Sequence, residues 1–304
     1  MEKTIIKKPN FFIVGAPKSG TTSMQHYLKQ HPDIFMPEGK EIHYFGSDLH
    51  FRRYRHNKEE YYEEFSAAQH EQRIGEASVW YLYSKSAAVE ISEFCPAAKI
   101  IIMLRNPVDM IYSLHSQFTY NGWENIADFR SALAAEKNRR KGIKIPDGPI
   151  FKEAYYYRDT AKFTCQVKRY FDAFGRKNVL VILFDKLKQD ASEVYRETLQ
   201  FLGVDPHFQP EFPVVNPNTN IRSGALRNFL KNPPEIARTI ARLVLPRRSL
   251  RSKLKSGLLE FNTQYKQRQP MDPQLKRQLQ DEFRPDVENL GRLIDCDLSH
   301  WLES

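Results

Sequence analysis

The stretch Phe11–Thr22, FFIVGAPKSGTT, decides the fold that this sequence predicts. Its four apolar residues, Phe11–Val14, predict a short buried strand, and Thr21–Gln30 after the turn predicts a helix. A strand, a glycine-containing loop and a helix in this order gather backbone N–H groups at the helix N-terminus, where an anion such as phosphate binds. The stretch therefore predicts a phosphate-binding loop at the end of a buried strand.

The lysine of this loop is not where the common phosphate loop has it. In G-x-x-x-x-G-K-[ST] the lysine follows the second glycine. Here Gly15 and Gly20 keep the four-residue gap, but Thr21 follows and the lysine is Lys18. A P-loop kinase or NTPase also needs an acidic residue for Mg²⁺ after another strand, and Asp185 is the candidate. Such an enzyme is an alternative function, which the displaced lysine disfavours.

The rest of the chain alternates apolar runs with helical patterns. Lys99–Leu104 and Val179–Phe184 predict two more buried strands. This alternation predicts an α/β class, a P-loop-like three-layer fold with a central parallel sheet flanked by helices. We expect a single domain over residues 1–304, with a basic helical segment at 221–268 and C-terminal helices at 269–304. The predicted helices are Val108–Phe118, Ile126–Lys141, Asp159–Phe174, Ala191–Leu202 and an amphipathic helix pair over 273–294.

Composition indicates a globular protein without a membrane span. Of 304 residues, 41% are hydrophobic and 27% are charged, and the longest apolar runs are far too short to cross a bilayer. The N-terminus has no apolar core of signal-peptide length. Cys95, Cys165 and Cys296 are widely spaced and predict buried free thiols, with neither a disulfide framework nor a metal cluster. We expect a cytoplasmic protein, at most peripheral on a membrane.

One segment carries the basic excess of the chain. The net charge is +9, and residues 221–268 contain 12 Lys and Arg against two acidic residues. The segment predicts an anionic partner, either an acidic polysaccharide or an anionic membrane surface, unless it is simply a solvated cationic face. We expect no nucleic acid, because the segment has no recognised binding motif and no basic–aromatic interleaving. A non-catalytic protein that docks anionic surfaces is a further alternative.

Three motifs, in this order, resemble the sulfotransferases that use 3′-phosphoadenosine 5′-phosphosulfate (PAPS). GAPKSGTT (15–22) is similar to their 5′-phosphosulfate loop, and LRNPVDMIYSLHSQF (104–118) is similar to their 3′-phosphate element. NPNTNIRSGALRNFL (216–230) is similar to the late loop that closes over the nucleotide, and the C-terminal FRPDVENLGRL and HWL resemble the end of bacterial members. The resemblance covers nearly the whole chain. It implies PAPS as co-substrate, 3′,5′-ADP as product and no metal.

The resemblance also implies which residues hold the two anionic ends of PAPS. Adjacent parallel strands would place Lys18 and Arg105 at the same edge of one sheet, where α/β folds bind ligands. Lys18 would balance charge on the leaving phosphate, and Thr21 and Thr22 would hold the 5′-phosphate. The implied donor-binding set is Lys18, Ser19, Gly20, Thr21, Thr22, Arg105, Ser113, Arg222, Ser223 and Gly224, with Arg227 as a further candidate.

The stretch KEIHYF (40–45) resembles one that supplies a glutamate base and a nearby histidine in glycosaminoglycan-type sulfotransferases. It implies three catalytic residues: Glu41 as general base, His43 assisting it, and Lys18. Glu41 and His43 are two apart, so an extended segment would point both side chains the same way. The resemblance favours a hydroxyl of a carbohydrate or glycolipid acceptor, with an amine as the second choice. A small-molecule or lipid alcohol is the alternative acceptor.

A second stretch, GEASVWYLY (75–83), resembles a segment that lines the acceptor cleft in this family. The resemblance implies that acceptor contacts come from Glu76, Ser78, Trp80 and Tyr81. Where the family has an acidic residue shortly after the base stretch, this chain has Gly46, with Asp48 two positions further on.

Overall fold

The structure, a computed structural model, describes residues 7–52, 55–213, 219–221, 257, 263–265 and 269–303. Its main sheet has five strands: β1 (Phe11–Gly15), β2 (Ile34–Phe35), β3 (Arg73–Ala77), β4 (Lys99–Leu104) and β5 (Val179–Leu183). They lie in the order β2-β3-β1-β4-β5, and every neighbouring pair is parallel. The parallel sheet confirms the predicted α/β class. Strands β2 and β3 were not predicted, because β2 has two residues and β3 contains Gly75 and Glu76, types that strands disfavour.

Helices cover both faces of this sheet. Phe11 and Ile13 of β1 pack in one apolar cluster, whereas Phe12 and Val14 pack in the other, as the period of two along a strand requires. The described helices are α1 (Thr21–Leu28), α2 (Lys58–Glu63), α3 (Ala87–Phe94), α4 (Pro107–Asn121), α5 (Phe129–Arg140), α6 (Tyr157–Thr160), α7 (Phe163–Phe174), α8 (Phe184–Gln189), α9 (Ala191–Leu202) and α10 (Pro273–Ile294). Helices α1 and α9 contribute to the first cluster, and α3, α4, α7 and α10 contribute to the second. The three predicted layers are therefore present.

The loops after β1 and β4 open on the same edge of the sheet. The two strands pair in parallel, with Phe12 opposite Ile100. Strand β4 ends at Leu104, and the side chain of Asn106 then caps helix α4 by accepting from the backbone N–H of Val108 at 3.0 Å. The RNP sequence thus ends the strand and starts the helix, as predicted. It leaves Arg105 beside the phosphate loop.

Two helix predictions were wrong. The pattern over Asp159–Phe174 predicted one helix, but α6 ends at Thr160 and α7 begins at Phe163. The carboxylate of Asp286, more than a hundred residues away in sequence, accepts from the backbone N–H of Phe163 at 2.8 Å and so fixes a new helix start there.

The C-terminal pattern predicted a helix pair, but α10 is one helix that runs through Pro285. A proline inside a helix costs about 3 kcal/mol. The helix nevertheless buries one continuous apolar face, made by Leu275, Leu279, Phe283, Val287 and Leu290, and this burial outweighs the cost.

Strands β6 (Thr219–Ile221) and β7 (Thr263–Tyr265) form a separate antiparallel pair. Most of the predicted basic helical segment lies outside the described residues.

Candidate functional site

The phosphate loop lies between β1 and α1, as its sequence predicted. Gly20 precedes the first residue of α1 in the left-handed region, with φ of 88°. A side chain at this position would collide with α8, because a Cβ atom would lie 2.9 Å from Leu187 Cδ2 and 3.0 Å from Phe184 Cδ2. The close approach of α8 and the positive φ therefore both require glycine here.

A single cleft of about 1780 Å³ brings most of the predicted site together. Its walls include residues from the phosphate loop, from the middle and the end of α4 and from the segment between β2 and β3. Among the predicted donor and catalytic residues, Lys18, Gly20, Thr21, Thr22, Glu41, His43, Arg105 and Ser113 line it. Ser19 does not, because its side chain is fully buried and its hydroxyl donates to the carbonyl of Pro17 at 3.4 Å. Any contribution of Ser19 to an anion site therefore comes from its backbone.

Arg105 connects the two predicted anion sites. Its Nη1 donates to the carbonyl oxygen of Lys18 at 3.3 Å, and its guanidinium lies over the ring of Phe184 at 4.8 Å. Burial lowers the pKa of Arg105 from its ordinary value, although arginine at this depth still carries its charge. A fixed cation thus lies beside the loop and lines the same cleft as Ser113 of α4, which suits an anion with two charged ends.

Lys40 is a residue of the cleft that the sequence interpretation missed. Its Nζ donates to the hydroxyls of Thr21 at 2.8 Å and Thr22 at 2.9 Å, and lies 3.5 Å from Oε1 of Glu41. Burial lowers the pKa of the Lys40 ammonium. Lys40 therefore joins the predicted phosphate ligands to the predicted base. The signal was present in the sequence, because Lys40 opens the KEIHYF stretch that pointed to Glu41.

Glu41 faces the cleft with its carboxylate held at both oxygens. The backbone N–H of Val79 donates to Oε2 at 3.0 Å, and Lys40 lies near Oε1. The side chain is 31% exposed. Burial raises the pKa of the Glu41 carboxyl from its ordinary value, and the charge of Lys40 opposes that effect. A carboxylate whose pKa is raised toward the working pH, and which still reaches the cleft, can accept a proton from a bound substrate.

His43 lies against Glu41 as a neutral ring. Its Nε2 is 3.7 Å from Oε2 of Glu41, and the ring stacks on Phe51 with the centroids 4.1 Å apart. Burial lowers the pKa of His43 to about 3, aided by the nearby charges of His56, Arg55 and Lys40. The two side chains meet as predicted, but the segment is not extended, since Glu41 has φ of 65° and His43 has φ of 55°.

Glu76, Ser78 and Tyr81 do not contact the cleft, so their predicted role in acceptor binding was wrong. All three are buried, and Oε1 of Glu76 accepts from the hydroxyls of Ser78 at 3.0 Å and Tyr81 at 2.6 Å. Their polar groups are satisfied within the protein interior. Trp80, the fourth predicted residue, does line the cleft.

Aromatic side chains form one wall of the cleft next to His43. Phe51, Trp80 and Trp123 line it, and the rings of Phe51 and Trp80 each lie 5.0 Å from the ring of Phe151. Asp48 lies elsewhere, where its carboxylate accepts from the hydroxyls of Ser84 and Ser86. These three rings therefore give this part of the cleft wall flat apolar surfaces.

Part of the predicted donor site lies outside the described residues. Arg222, Ser223, Gly224 and Arg227 belong to this part, as do nearly all residues of 221–268. The backbone of β6, which ends at Ile221, runs beside α4. This places the start of that segment next to the helix that carries Ser113.

Asp185, the residue that a kinase would use for Mg²⁺, has a different role. Its Oδ2 accepts from Nε1 of Trp301 at 2.7 Å, and His300 lies 3.5 Å from the same oxygen. The carboxylate therefore ties the C-terminus to the start of α8, and Asp185 is not among the described residues that line the cleft. No cluster of three or more His, Cys, Asp or Glu side chains suited to a metal occurs in the described ranges.

Two further sequence predictions concern the surface and the cysteines. In the part of the chain that the structure describes, no helix is long and apolar enough to cross a membrane. Cys95, Cys165 and Cys296 are free thiols, but the prediction that they are buried was wrong. Cys165 is exposed and the other two are partly exposed, because each lies near the end or on the outer face of a helix.

Comparison with known proteins agrees with this geometry. A family model described as "Sulfotransferase domain" matches residues 8–291. The crystal structure of a sulfotransferase from Alicyclobacillus acidocaldarius is 32% identical, covers 98% of this chain and 100% of its own, and superimposes with a TM-score of 0.74.

Curated relatives are similar over shorter regions. Human carbohydrate sulfotransferase 15 is 31% identical over 73% of this chain and 48% of its own length. Mouse bifunctional heparan sulfate N-deacetylase/N-sulfotransferase 4 is 25% identical over 68% of this chain and 24% of its own. Membrane-associated sulfotransferase kil1 of Dictyostelium discoideum is 34% identical over 36% of this chain and 23% of its own. The chain thus spans about a quarter to a half of these relatives. The family match over nearly the whole chain, with a phosphate loop, a fixed arginine and a carboxylate in one cleft, shows that this protein belongs to the sulfotransferase domain family.

Proposed function

We propose that this enzyme transfers the sulfuryl group of PAPS to a hydroxyl of a carbohydrate or glycolipid acceptor, with an amine as the second choice. The observation that carries the proposal is the single cleft that holds a phosphate loop, Arg105 and Glu41 together. PAPS has an anion at each end, and the cleft offers a cationic group beside each of two strand ends. Arg105 would hold the 3′-phosphate with Ser113, and the phosphate loop would hold the 5′ end.

The residues around the loop support the donor side of this proposal. Thr21 and Thr22 lie in the first turn of α1, where backbone N–H groups favour an anion. The ammonium of Lys40 donates hydrogen bonds to both of their hydroxyls. Lys18, in the loop itself, lines the same cleft. A phosphosulfate placed there would meet two lysine charges, which stabilise negative charge as it develops on the leaving phosphate.

The reaction would be an in-line transfer assisted by Glu41. PAPS supplies the sulfuryl group. The Glu41 carboxylate takes the proton of the acceptor hydroxyl while the acceptor oxygen bonds to sulfur. The bond between sulfur and the 5′-phosphate oxygen breaks, and its electron pair stays on 3′,5′-ADP. Neutral His43 would pack beside Glu41 and would not carry the proton, because its pKa of about 3 makes it a poor base.

The acceptor class rests on two observations. The curated relatives include proteins named for carbohydrate and heparan sulfate sulfotransfer. The cleft wall next to His43 is built from Phe51, Trp80 and Trp123, whose flat rings suit the apolar face of a sugar or an apolar aglycone. The basic segment at 221–268 would then attract an acidic polysaccharide or an anionic membrane surface.

The donor half of the proposal is tested by isothermal titration calorimetry with 3′,5′-ADP in a chelating buffer. We expect micromolar binding that Lys18→Ala or Arg105→Ala weakens at least tenfold, because each removes a charge-assisted contact of about 1.5–3 kcal/mol. Lys168→Ala, which removes an exposed lysine paired with Asp172 on α7, is the control and should bind as the wild type does. Binding of Mg–ATP alone, or no change in either variant, would contradict the proposal.

A further inference from the structure

The loop that carries Glu41 and His43 is held in a conformation that its own residues disfavour. In this base loop, residues 41–45, both Glu41 and His43 have positive φ angles, 65° and 55°. A residue other than glycine in this region costs about 1–3 kcal/mol, and such strain persists only where the surroundings enforce it. Something in the structure must therefore hold the base loop in place.

Two buried hydroxyls bind three consecutive backbone N–H groups of the base loop. The N–H of His43 donates to Oγ of Ser78 at 3.2 Å. The N–H groups of Tyr44 and Phe45 both donate to the hydroxyl oxygen of Tyr81, at 2.8 and 3.1 Å. These bonds leave the loop little freedom to shift along the sheet edge, because two fixed side chains account for all three donors.

One carboxylate sets the direction of both hydroxyls. Ser78 and Tyr81 each donate their single hydroxyl proton to Oε1 of Glu76, at 3.0 and 2.6 Å. A hydroxyl whose proton is used in this way can only present lone pairs to other groups, which is what the loop N–H groups need. Tyr61 donates to the other oxygen, Oε2, at 2.6 Å and is not among the acceptors of the base loop. Glu76 itself is fully buried and does not line the cleft.

We propose that Glu76 is a positioning residue, which places the Glu41 carboxylate by orienting Ser78 and Tyr81 as acceptors for the base loop. The inference rests on the proposed function, in which Glu41 is the general base. Glu76 would act on the reaction indirectly: its carboxylate orients two hydroxyls, and these hydroxyls bind the backbone of the base loop. It also explains why a carboxylate occupies a strand whose neighbours Ile74 and Ala77 are apolar and buried.

The chain provides a matched pair of variants for this inference. Tyr81→Phe and Tyr61→Phe each remove one hydroxyl that donates to Glu76 at 2.6 Å from a buried ring. Only the Tyr81 hydroxyl also accepts from the base loop. We expect Tyr81→Phe to lose more stability than Tyr61→Phe, because it also leaves the N–H groups of Tyr44 and Phe45 without their acceptor, and we expect Tyr81→Phe alone to release the loop.

Two readouts separate positioning from folding. Hydrogen-exchange mass spectrometry of a peptide that covers residues 41–45 should show at least tenfold faster exchange in Tyr81→Phe and unchanged exchange in Tyr61→Phe. The kcat of sulfuryl transfer from PAPS to an oligosaccharide hydroxyl should fall about 10–100-fold in Tyr81→Phe, because a base misplaced by about 1 Å can lose that much. The Kd for 3′,5′-ADP should stay within twofold in both variants. If Tyr81→Phe does not fold, Ser78→Ala replaces it in both measurements, because it removes only the acceptor of the His43 N–H group.

Each outcome is decisive for the inference. Faster loop exchange and lower kcat in Tyr81→Phe, with neither in Tyr61→Phe, support it. Equal effects in the two variants, or wild-type exchange and kcat in Tyr81→Phe, overturn it. If the wild type binds no 3′,5′-ADP and transfers no sulfuryl group to an oligosaccharide, the proposed function fails, and the exchange rates still decide whether the Tyr81 hydroxyl, through which Glu76 acts, holds the loop.

Discussion

At the scale of single residues, burial moves two neighbouring pKa values in opposite directions. It raises the pKa of Glu41 and lowers the pKa of His43 to about 3, because in each case burial disfavours the charged form. Near neutral pH the pair therefore consists of a carboxylate that accepts protons more readily than a free glutamate and a neutral imidazole. In the proposed mechanism the acceptor proton is therefore assigned to Glu41.

His43 should stay neutral across the working pH range. We expect its ring to show no titration between pH 5 and pH 8, because its pKa is about 3. The ¹³C–¹H correlation spectrum of histidine-labelled protein measures this, with His43→Asn to identify the signal. A His43 signal that moves with a midpoint near 6.5 would show that the imidazolium is tolerated and would contradict this account.

Lys40 should matter to donor binding more than its exposed neighbours do. We expect Lys40→Met to raise the Kd for 3′,5′-ADP about tenfold, because the change removes a buried ammonium from the hydroxyls of Thr21 and Thr22. Lys29→Met is the matched control, since Lys29 pairs with the exposed Glu38. Calorimetry measures both. Equal Kd values for the two variants would remove Lys40 from the donor site.

At the scale of elements, the site depends on how close α8 comes to the phosphate loop. The rings and methyl groups of Phe184 and Leu187 fill the space where a side chain at Gly20 would lie. The same glycine begins α1 in a left-handed conformation. One position therefore serves the backbone geometry and the packing together.

Gly20→Ala should cost more stability than a substitution at a glycine that has a positive φ angle but no close neighbour. Gly175 also has positive φ, 72°, but a Cβ atom there would meet nothing within 4 Å. We expect Gly175→Ala to cost about 1 kcal/mol and Gly20→Ala about 2–4 kcal/mol, since the second adds a steric clash. Urea denaturation at constant m-value measures the difference. Equal losses of unfolding free energy in the two variants would mean that α8 moves aside at little cost and that its packing does not fix the phosphate loop.

Strand β3 should make the stability of the protein depend on pH. Burial raises the pKa of Glu76 from 4.5 to about 7, against the hydrogen bonds from Tyr61, Tyr81 and Ser78. The folded state thus holds the Glu76 proton more tightly than the unfolded state does. The corresponding stability is complete below pH 4.5 and is lost as the pH rises through 7, by about 3 kcal/mol.

Glu76→Gln removes this titration. The free energy of unfolding of the variant, measured in urea between pH 5 and pH 8, should therefore fall less with rising pH than that of the wild type. A Glu76→Gln slope equal to that of the wild type would show that Glu76 is already ionised at low pH in the folded protein.

At the scale of the whole molecule, some elements follow from local sequence patterns, whereas others depend on contacts between residues that are far apart in the chain. Strands β1, β4 and β5 and helix α9 could be predicted almost to the residue, because each is a contiguous local pattern. The start of α7 could not, since it depends on Asp286 in α10. The roles of Glu76 and Tyr81 could not either, because their burial comes from packing between β3, α2 and the base loop, which no local pattern shows.

The candidate site divides in the same way. The phosphate loop and Arg105 were predictable, because the ends of parallel strands bring them to one edge. Glu41 and His43 were found through a short motif, yet their contact arises from positive φ angles and not from the extended backbone that the spacing suggested. Lys40 was missed because only the folded chain shows that its ammonium reaches Thr21 and Thr22.

The central claim is that this cleft transfers sulfuryl groups from PAPS with Glu41 as the base. The most direct measurement is the transfer of ³⁵S from labelled PAPS to a panel of neutral and acidic oligosaccharides, by the wild type and by Glu41→Gln, with 3′,5′-ADP quantified in the same reactions. The account predicts labelled oligosaccharide in an amount equal to 3′,5′-ADP, and a rate at least about 100-fold lower in Glu41→Gln at unchanged 3′,5′-ADP affinity. A Glu41→Gln variant that transfers the label at the wild-type rate would contradict it.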